Sequence, residues 1–245
     1  VREYVHGDAM KRIHWPTSIR RDQLMVKEFE QDPQAEVWLY LDSQKTVNFE
    51  KPHQFDDMPI ESLLFGRRPK FHLPPSTLEY SISITASLAH YFIAQRRAVG
   101  FASAGQTFTV HHAERSERQE GKILETLAFV EANGELSIAA LVAAQASQLP
   151  QGSSAILITP TVRSELLQAV DDLQRRYLRP MVVLLDAGTF GGPDGTDKIL
   201  LSLRERRVPV CIIACDANLA QALSEFSSDL TSQDVRKWKS TALSQ

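Results

Sequence analysis

From Glu36 onward the chain alternates short apolar runs with amphipathic stretches of helical length. No other feature constrains the fold as much. Strands that run parallel need long crossover connections, and a helix packed on the sheet is the usual one. The short apolar runs at 37–41, 155–159, 181–185 and 208–214 read as strands, the first of them, Val37 to Leu41, as one buried on both faces. The spacing predicts helices over about 78–97, 117–130, 137–148, 163–177, 196–206 and 218–226. In the first of these, Ile82, Ala86, Ala89 and Ile93 mark one face. Ile84, Leu88, Tyr91 and Phe92 add apolar groups elsewhere, so that helix is expected to be largely buried. Segments 99–102 and 107–110 flank Ala104-Gly105-Gln106 and read as a hairpin, which places one antiparallel strand at the sheet edge. The expected fold is three-layer α/β with a mostly parallel sheet.

Two regions escape this rhythm. Residues 1–33 precede the first sheet strand: Asp8 can cap a short helix running to His14, Pro16 interrupts it, and 24–29 looks extended. This segment is expected to pack on a main domain spanning 34–230, with a polar tail at 231–245. Trp15 and Ile13, beside Arg12 and Arg20, have the composition of a small packed cluster. The other irregular region is the connection 43–77, with prolines at 52, 59, 69, 74 and 75. A loop of that length in a compact domain is uncommon. Its Phe49, Phe55, Leu63, Leu64, Phe65 and Phe71 are too many large apolar groups for a solvated linker. It reads as an ordered arm, anchored by one of its phenylalanines on the domain or on a partner; a disordered insertion is the alternative.

A net charge of −3 exerts no overall pull toward nucleic acid. The basic group Lys11, Arg12, Arg20 and Arg21 reads as a local salt-bridge network. Cys211 and Cys215 stand four residues apart on one predicted strand, too far for a disulfide, and read as buried thiols of a reducing compartment. No stretch approaches the ~20 apolar residues that span a bilayer. The sequence starts at Val1 in the middle of a motif, so upstream sequence is expected, and a membrane anchor there is left open.

Asp42, Asp186 and Asp216 each close a predicted strand at the carboxyl edge of the sheet, where open α/β sheets bind ligands. They serve equally well as caps of the following loops. The histidines do not converge: His111 and His112 are adjacent on a strand and point to opposite faces, His53 and His72 lie in the arm, and His90 sits on the buried helix as a satisfied polar group. Metal-binding His and Cys spacings, the nucleophile elbow and the phosphate loop are absent from the sequence. The glycine-rich loop 188–195 precedes a helix start, but Asp186, Asp194 and Asp197 would repel a phosphate.

The first thirty residues carry a longer signature: Arg2-Glu3-Tyr4-Val5, Gly7-Asp8, Arg12-Ile13-His14-Trp15, Ser18, Arg20, then Leu24, Val26-Lys27-Glu28-Phe29. This resembles the motif of domain-of-unknown-function family 58, with Arg2, Tyr4, Gly7, Asp8, Arg12, Trp15 and Arg20 as its main positions. The resemblance implies a von Willebrand factor A-like domain following the motif. It also implies a bacterial parent protein anchored in the membrane by amino-terminal helices, with this part on the cytoplasmic side, and a MoxR-type AAA+ ATPase as partner.

Metal-binding domains of that fold hold Mg²⁺ by Asp-x-Ser-x-Ser after the first strand, a Thr in a second loop and an Asp after the fourth strand. Here the positions read Asp42, Gln44 and Thr46, then Glu135, then Thr159. Losing one carboxylate and two hydroxyls is expected to abolish Mg²⁺ binding, and Lys45 adds a positive charge that can occupy the ion's place. The favoured reading is a non-catalytic interaction module, with no cofactor, acting as adaptor or assembly factor. Lys45, Phe65, Arg67, Arg68 and Phe71 are its candidate partner contacts. The rival reading is a metal-assisted hydrolase using Asp42, Asp186 and Asp194.

Overall fold

The computed structural model describes residues 2–3, 15–26, 36–53 and 73–226. The chain divides into two compact units, Val1–Gln34 and Ala35–Gln245.

In the first unit, strand β1 (Arg2–Glu3) pairs antiparallel with β2 (Met25–Val26), and helix α1 (Trp15–Arg21) precedes β2. Ser18 ties them together: its Oγ accepts from the Met25 N–H at 2.9 Å and donates to the Met25 carbonyl at 3.4 Å. Pro16 stands in the first turn of α1, where its missing N–H has no intrahelical partner to lose; the helix expected before it, from Asp8 to His14, lies outside the described residues. Trp15 is 59% exposed, which corrects the expectation of a buried aromatic there. Asp8, Arg12, Ile13 and His14 lie outside the described residues, as do Lys11, Tyr4 and Gly7.

The second unit is built on a six-stranded sheet of order β5-β4-β3-β6-β7-β8. Its strands are β3 (Val37–Leu41), β4 (Val99–Ala104), β5 (Phe108–Glu114), β6 (Ser154–Thr159), β7 (Arg179–Leu185) and β8 (Val210–Ile213). All neighbours are parallel except β4 and β5, so the antiparallel edge strand is present. The crossovers are helices α2 (Thr77–Ala94), α3 (Glu117–Leu127), α4 (Ile138–Gln145), α5 (Glu165–Arg175) and α6 (Thr196–Glu205); residues 219–226, α7, are helical after β8.

The period of two sorts β3 between the layers. Trp38 and Tyr40 face α4, α5 and α6 through Leu141, Leu166, Val170 and Leu203. Val37, Leu39 and Leu41 face α2, α3 and α7 through Ile84, Leu88, Ile123 and Leu127. All five β3 residues are buried. The same alternation divides the histidine pair. His111 stacks on Phe101 of one layer at 6.1 Å, and His112 meets Trp38 of the other edge-on at 6.4 Å.

Helix α2 is less enclosed than expected. Its inner face is Thr77, Tyr80, Ser81, Ile84, Thr85, Leu88, Ala89 and Ile93, whereas Tyr91 is exposed and Ile82 and Ala86 are half-buried. His90 is exposed as well and hydrogen-bonded to Glu120 at 2.9 Å, so it is a satisfied surface group and not an interior one. Cys211 and Cys215 are free thiols. Among the described residues, no helix is long and apolar enough to cross a membrane.

Candidate functional site

Strand order places the site. The connection from β3 leads one way along the sheet, to β4, and the connection from β6 leads the other way, to β7. Between two such strands the flanking loops diverge and a crevice opens at the carboxyl ends, the usual binding position of open α/β sheets. Asp42 follows β3 and Thr159 ends β6, so these residues stand on either side of that crevice.

They close it. Thr159 Oγ1 donates to Asp42 Oδ2 at 2.6 Å, and the Gln44 N–H donates to Asp42 Oδ1 at 3.1 Å. Both carboxylate oxygens are thereby engaged within the protein, and Asp42 is 2% exposed. Burial is the main influence on its acidity: it pushes the carboxyl from 3.8 up to about 6, against the opposing pull of the Thr159 and Gln44 hydrogen bonds. Thr159 is itself held, since its Oγ1 accepts from the Thr161 N–H at 3.0 Å.

The loop after β3 is clamped along its length. Gln44 and Gly134 form an isolated parallel bridge, with Gly134 N–H on the Ser43 carbonyl at 3.0 Å and Lys45 N–H on the Gly134 carbonyl at 2.9 Å. The Ser43 and Ser103 hydroxyls meet at 3.1 Å. Asn48 Nδ2 donates to the carbonyls of Asp42 and Gln44, and Thr77 Oγ1 donates to Asn48 Oδ1. Arg163 reaches over from the loop after β6 and donates to Thr46 Oγ1 at 3.2 Å and to the Thr46 carbonyl at 3.3 Å.

The second acidic position is built otherwise. Asp186 follows β7 and is half-buried. Its Oδ1 accepts from Thr196 Oγ1 at 2.7 Å, while Thr189 links this loop to the next by donating to the Asp186 carbonyl and accepting from the Cys215 N–H. Asp194 lies close by, across Gly188. Asp216 adopts φ of 64°, and its N–H donates to Tyr80 Oη at 3.0 Å. Among the described residues, no group of three His, Cys, Asp or Glu side chains is arranged to hold a metal ion.

Residues 1–58 match the family model described as "Protein of unknown function DUF58". The match falls on the amino-terminal segment whose motif resembled that family. A curated relative, Uncharacterized protein YeaD of Bacillus subtilis (strain 168), is 26% identical over 129 residues, 53% of this chain. The match spans 25% of that relative's own length. Among solved structures, BatB from Bacteroides thetaiotaomicron is similar over 79% of this chain and 99% of its own, at 11% identity and a TM-score of 0.48. An aerotolerance-related membrane protein from Bacteroides fragilis NCTC 9343 is similar over 81% and 99%, at 11% identity and 0.44. The pilus adhesin SpaC from Lactobacillus rhamnosus GG gives 83% and 30%, 8% identity and 0.47.

Of the positions singled out in the sequence, Asp42, Gln44, Thr46 and Thr159 converge on one loop junction, and Glu135 is exposed at its margin. Lys45 does not fill the place of an ion. It is exposed, and the groups that contact the Asp42 oxygens are the Thr159 hydroxyl and the Gln44 amide. Arg163 is the basic residue that bridges the loops, and the sequence reading passed it over. Its signal was its place four residues after Thr159, at the mouth of the same crevice. Of the arm, Phe49 belongs to the α2-side core and its ring covers Gly192. Phe55, Phe65, Arg67, Arg68, Lys70 and Phe71 lie outside the described residues.

Proposed function

We propose that this chain is a non-catalytic protein-interaction domain of a membrane-associated bacterial protein, acting as adaptor or assembly factor. The observation that carries the reading is the closed crevice: both oxygens of Asp42 are occupied from within, by Thr159 Oγ1 and the Gln44 N–H. A catalytic or metal-bearing carboxylate must offer an oxygen to substrate or ion. This one instead ties two loops together beside an exposed rim of Lys45, Thr46 and Arg163. The von Willebrand factor A-like reading of the domain supports it, because three of its ion-binding positions, Asp42, Gln44 and Thr159, here bond to each other. The hydrolase alternative has less in its favour, since Asp42 and the pair Asp186 and Asp194 follow strands separated by β6.

The resemblance to domain-of-unknown-function family 58 supports a MoxR-type AAA+ ATPase as the partner, engaged on the cytoplasmic side. The direct test mixes the purified chain with the MoxR-type ATPase of the source bacterium. It compares wild type with the double variant Lys45→Glu, Arg163→Glu at matched melting temperature. Binding that the charge reversal weakens tenfold or more supports the rim as the contact. Equal binding by both proteins moves the contact elsewhere, and no binding removes this ATPase as the partner.

A further inference from the structure

We infer that the pocket beneath the β4–β5 turn is a receptor for an arginine side chain of a protein partner. This rests on the interaction-domain reading and names a chemistry for one of its contacts. The pocket encloses about 210 Å³ and is lined by Ser103, Thr107, Thr109, Thr126, Phe129 and Glu131 among others. A cavity of about 150 Å³ already holds a benzene ring, so a guanidinium and part of its stem fit here.

The lining is one-sided in charge. Glu131 is the ionised group among the described residues that line the pocket, and no cation does so. The nearby Lys122, one turn before Thr126, has its ammonium on Glu114 at 2.9 Å. Hydroxyl oxygens dominate the rest: Ser103 shares a hydrogen bond with Ser43, Thr107 with Thr109, and Thr126 donates to the Lys122 carbonyl. Ser103, Thr107 and Thr109 keep lone pairs for a further donor, whereas Thr126 Oγ1 also meets His111 Nε2 at 2.7 Å. A ligand bringing several N–H donors and a positive charge matches these groups, and an anion does not.

Glu131 is held ready. Gln106 Nε2 and Asn133 Nδ2 both donate to its Oε2, at 3.2 and 2.8 Å, which favours one orientation of the carboxylate and leaves Oε1 open among the described residues. Asn133 Oδ1 is buried with no hydrogen-bond partner and lies 3.5 Å from the point where a Cβ on Gly105, a pocket residue, would stand. Two residues before Glu131, Phe129 leaves 82% of its surface in solvent. One exposed aromatic is ordinary. Phe129 and Glu131 both line the pocket, and a planar cation can stack on a ring while hydrogen-bonding a carboxylate. Arginine fits better than lysine because its fork reaches carboxylate and hydroxyls together.

The test uses the full chain and two blocked tripeptides, acetyl-Gly-Arg-Gly-amide and its citrulline counterpart, which keeps the shape and loses the charge. NMR titration is expected to shift the amides of Gly105, Gln106 and Glu131 with the arginine peptide only. Glu131→Gln should weaken that binding about tenfold or more, the range of a charge-assisted hydrogen bond, with an unchanged melting temperature, and Phe129→Ala should weaken it less. Equal shifts from citrulline, or no shifts from either peptide, overturn the proposal. The broader reading is judged separately. A partner lost by the Lys45, Arg163 double variant but retained by Glu131→Gln upholds the interaction domain and refutes this pocket. Peptide binding by a chain that captures no protein partner overturns the interaction-domain reading and, with it, the partner assigned to this pocket.

Discussion

The two threonine–carboxylate pairs at the carboxyl edge have nearly the same bond and different surroundings. Asp42 takes its hydroxyl at 2.6 Å and Asp186 at 2.7 Å. Asp42, however, is sealed between β3 and β6 with both oxygens engaged, whereas Asp186 is half-buried at the start of the glycine-rich loop. A charged hydrogen bond out of water strengthens, and so does the cost of leaving either partner unmatched. The first pair therefore acts as a structural stitch across the crevice. The second is a loop tie that solvent can replace. Sequence shows an Asp closing a strand in both cases, its Thr 117 residues on in the first and 10 in the second, and does not show the difference in depth.

The contrast is broken most severely through glycine. A Cβ on Gly134 would drive into the Ala104 carbonyl and press on the Ser43 carbonyl at 3.0 Å. These are backbone atoms and cannot turn aside. Gly134→Ala is expected to cost at least about 3 kcal/mol, lowering the melting temperature by roughly 6–12 °C for a domain of this size. On the other side, a Cβ on Gly188 meets Asp194 Oδ1 at 2.6 Å, the end of a side chain that can rotate away. Gly188→Ala should cost about 1 kcal/mol or less. Calorimetry on both variants decides, and equal losses would erase the distinction between stitch and tie.

Titration sharpens it next. With the Asp42 carboxyl pushed up to about 6 by burial, the folded chain keeps a proton at pH 5 that the unfolded chain has lost. Asp42 is therefore least costly to the fold below about pH 4, and its contribution worsens as pH rises to about 6, then stays constant. The full swing is on the order of 2–3 kcal/mol. Asp42→Asn removes the titration. The stability of wild type minus that of Asp42→Asn should fall between pH 4 and 6.5, and parallel curves would show the carboxylate to be better solvated than its position requires.

Removing the hydroxyls gives a smaller step. Thr159→Val keeps shape but strips Asp42 of a donor and the Thr161 N–H of its acceptor, an expected loss of about 2 kcal/mol. Thr196→Val at the half-buried pair should lose about 0.5–1 kcal/mol. Urea midpoints at pH 7.5 measure both, and a larger loss at Thr196 would reverse the ranking.

Much of this fold was legible because burial on two faces writes itself into β3, β6 and β7 as unbroken apolar runs. The β4–β5 hairpin announced its edge position through the turn at Ala104-Gly105-Gln106. The site was legible as positions and not as contacts: Asp42 and Thr159 were named, but their bond joins residues 117 apart in sequence. Lys45 drew attention as the nearest cation along the chain, while Arg163, just as far from Thr46 as Thr159 is from Asp42, makes the contact in space. The helix that starts at Trp15 was not legible, since a proline that ends one helix can equally stand in the first turn of another.

The smallest expected effect is the response to divalent metal, and the two carboxylates predict it together. Mg²⁺ needs six near-octahedral oxygens and gives up its water reluctantly. At Asp42 an ion would have to displace the Thr159 hydroxyl and the Gln44 amide from a group 2% exposed, and Arg163, bonded to Thr46, adds a positive charge at the approach. At Asp186 the ion could gather that carboxylate and Asp194 across Gly188, with water for the remainder, so any binding there is weak and screened by salt. Saturation of a true site at a hundredfold excess over Kd would stabilise by about 2.7 kcal/mol, or roughly 5–11 °C in melting temperature. Mg²⁺ and Mn²⁺ at millimolar levels are expected to move the wild-type midpoint by less than about 1 °C. A larger rise that Asp42→Asn abolishes would show the crevice open to an ion and sink the stitch. A rise abolished only by Asp186→Asn would leave the stitch standing and assign the metal to the solvent-facing loop.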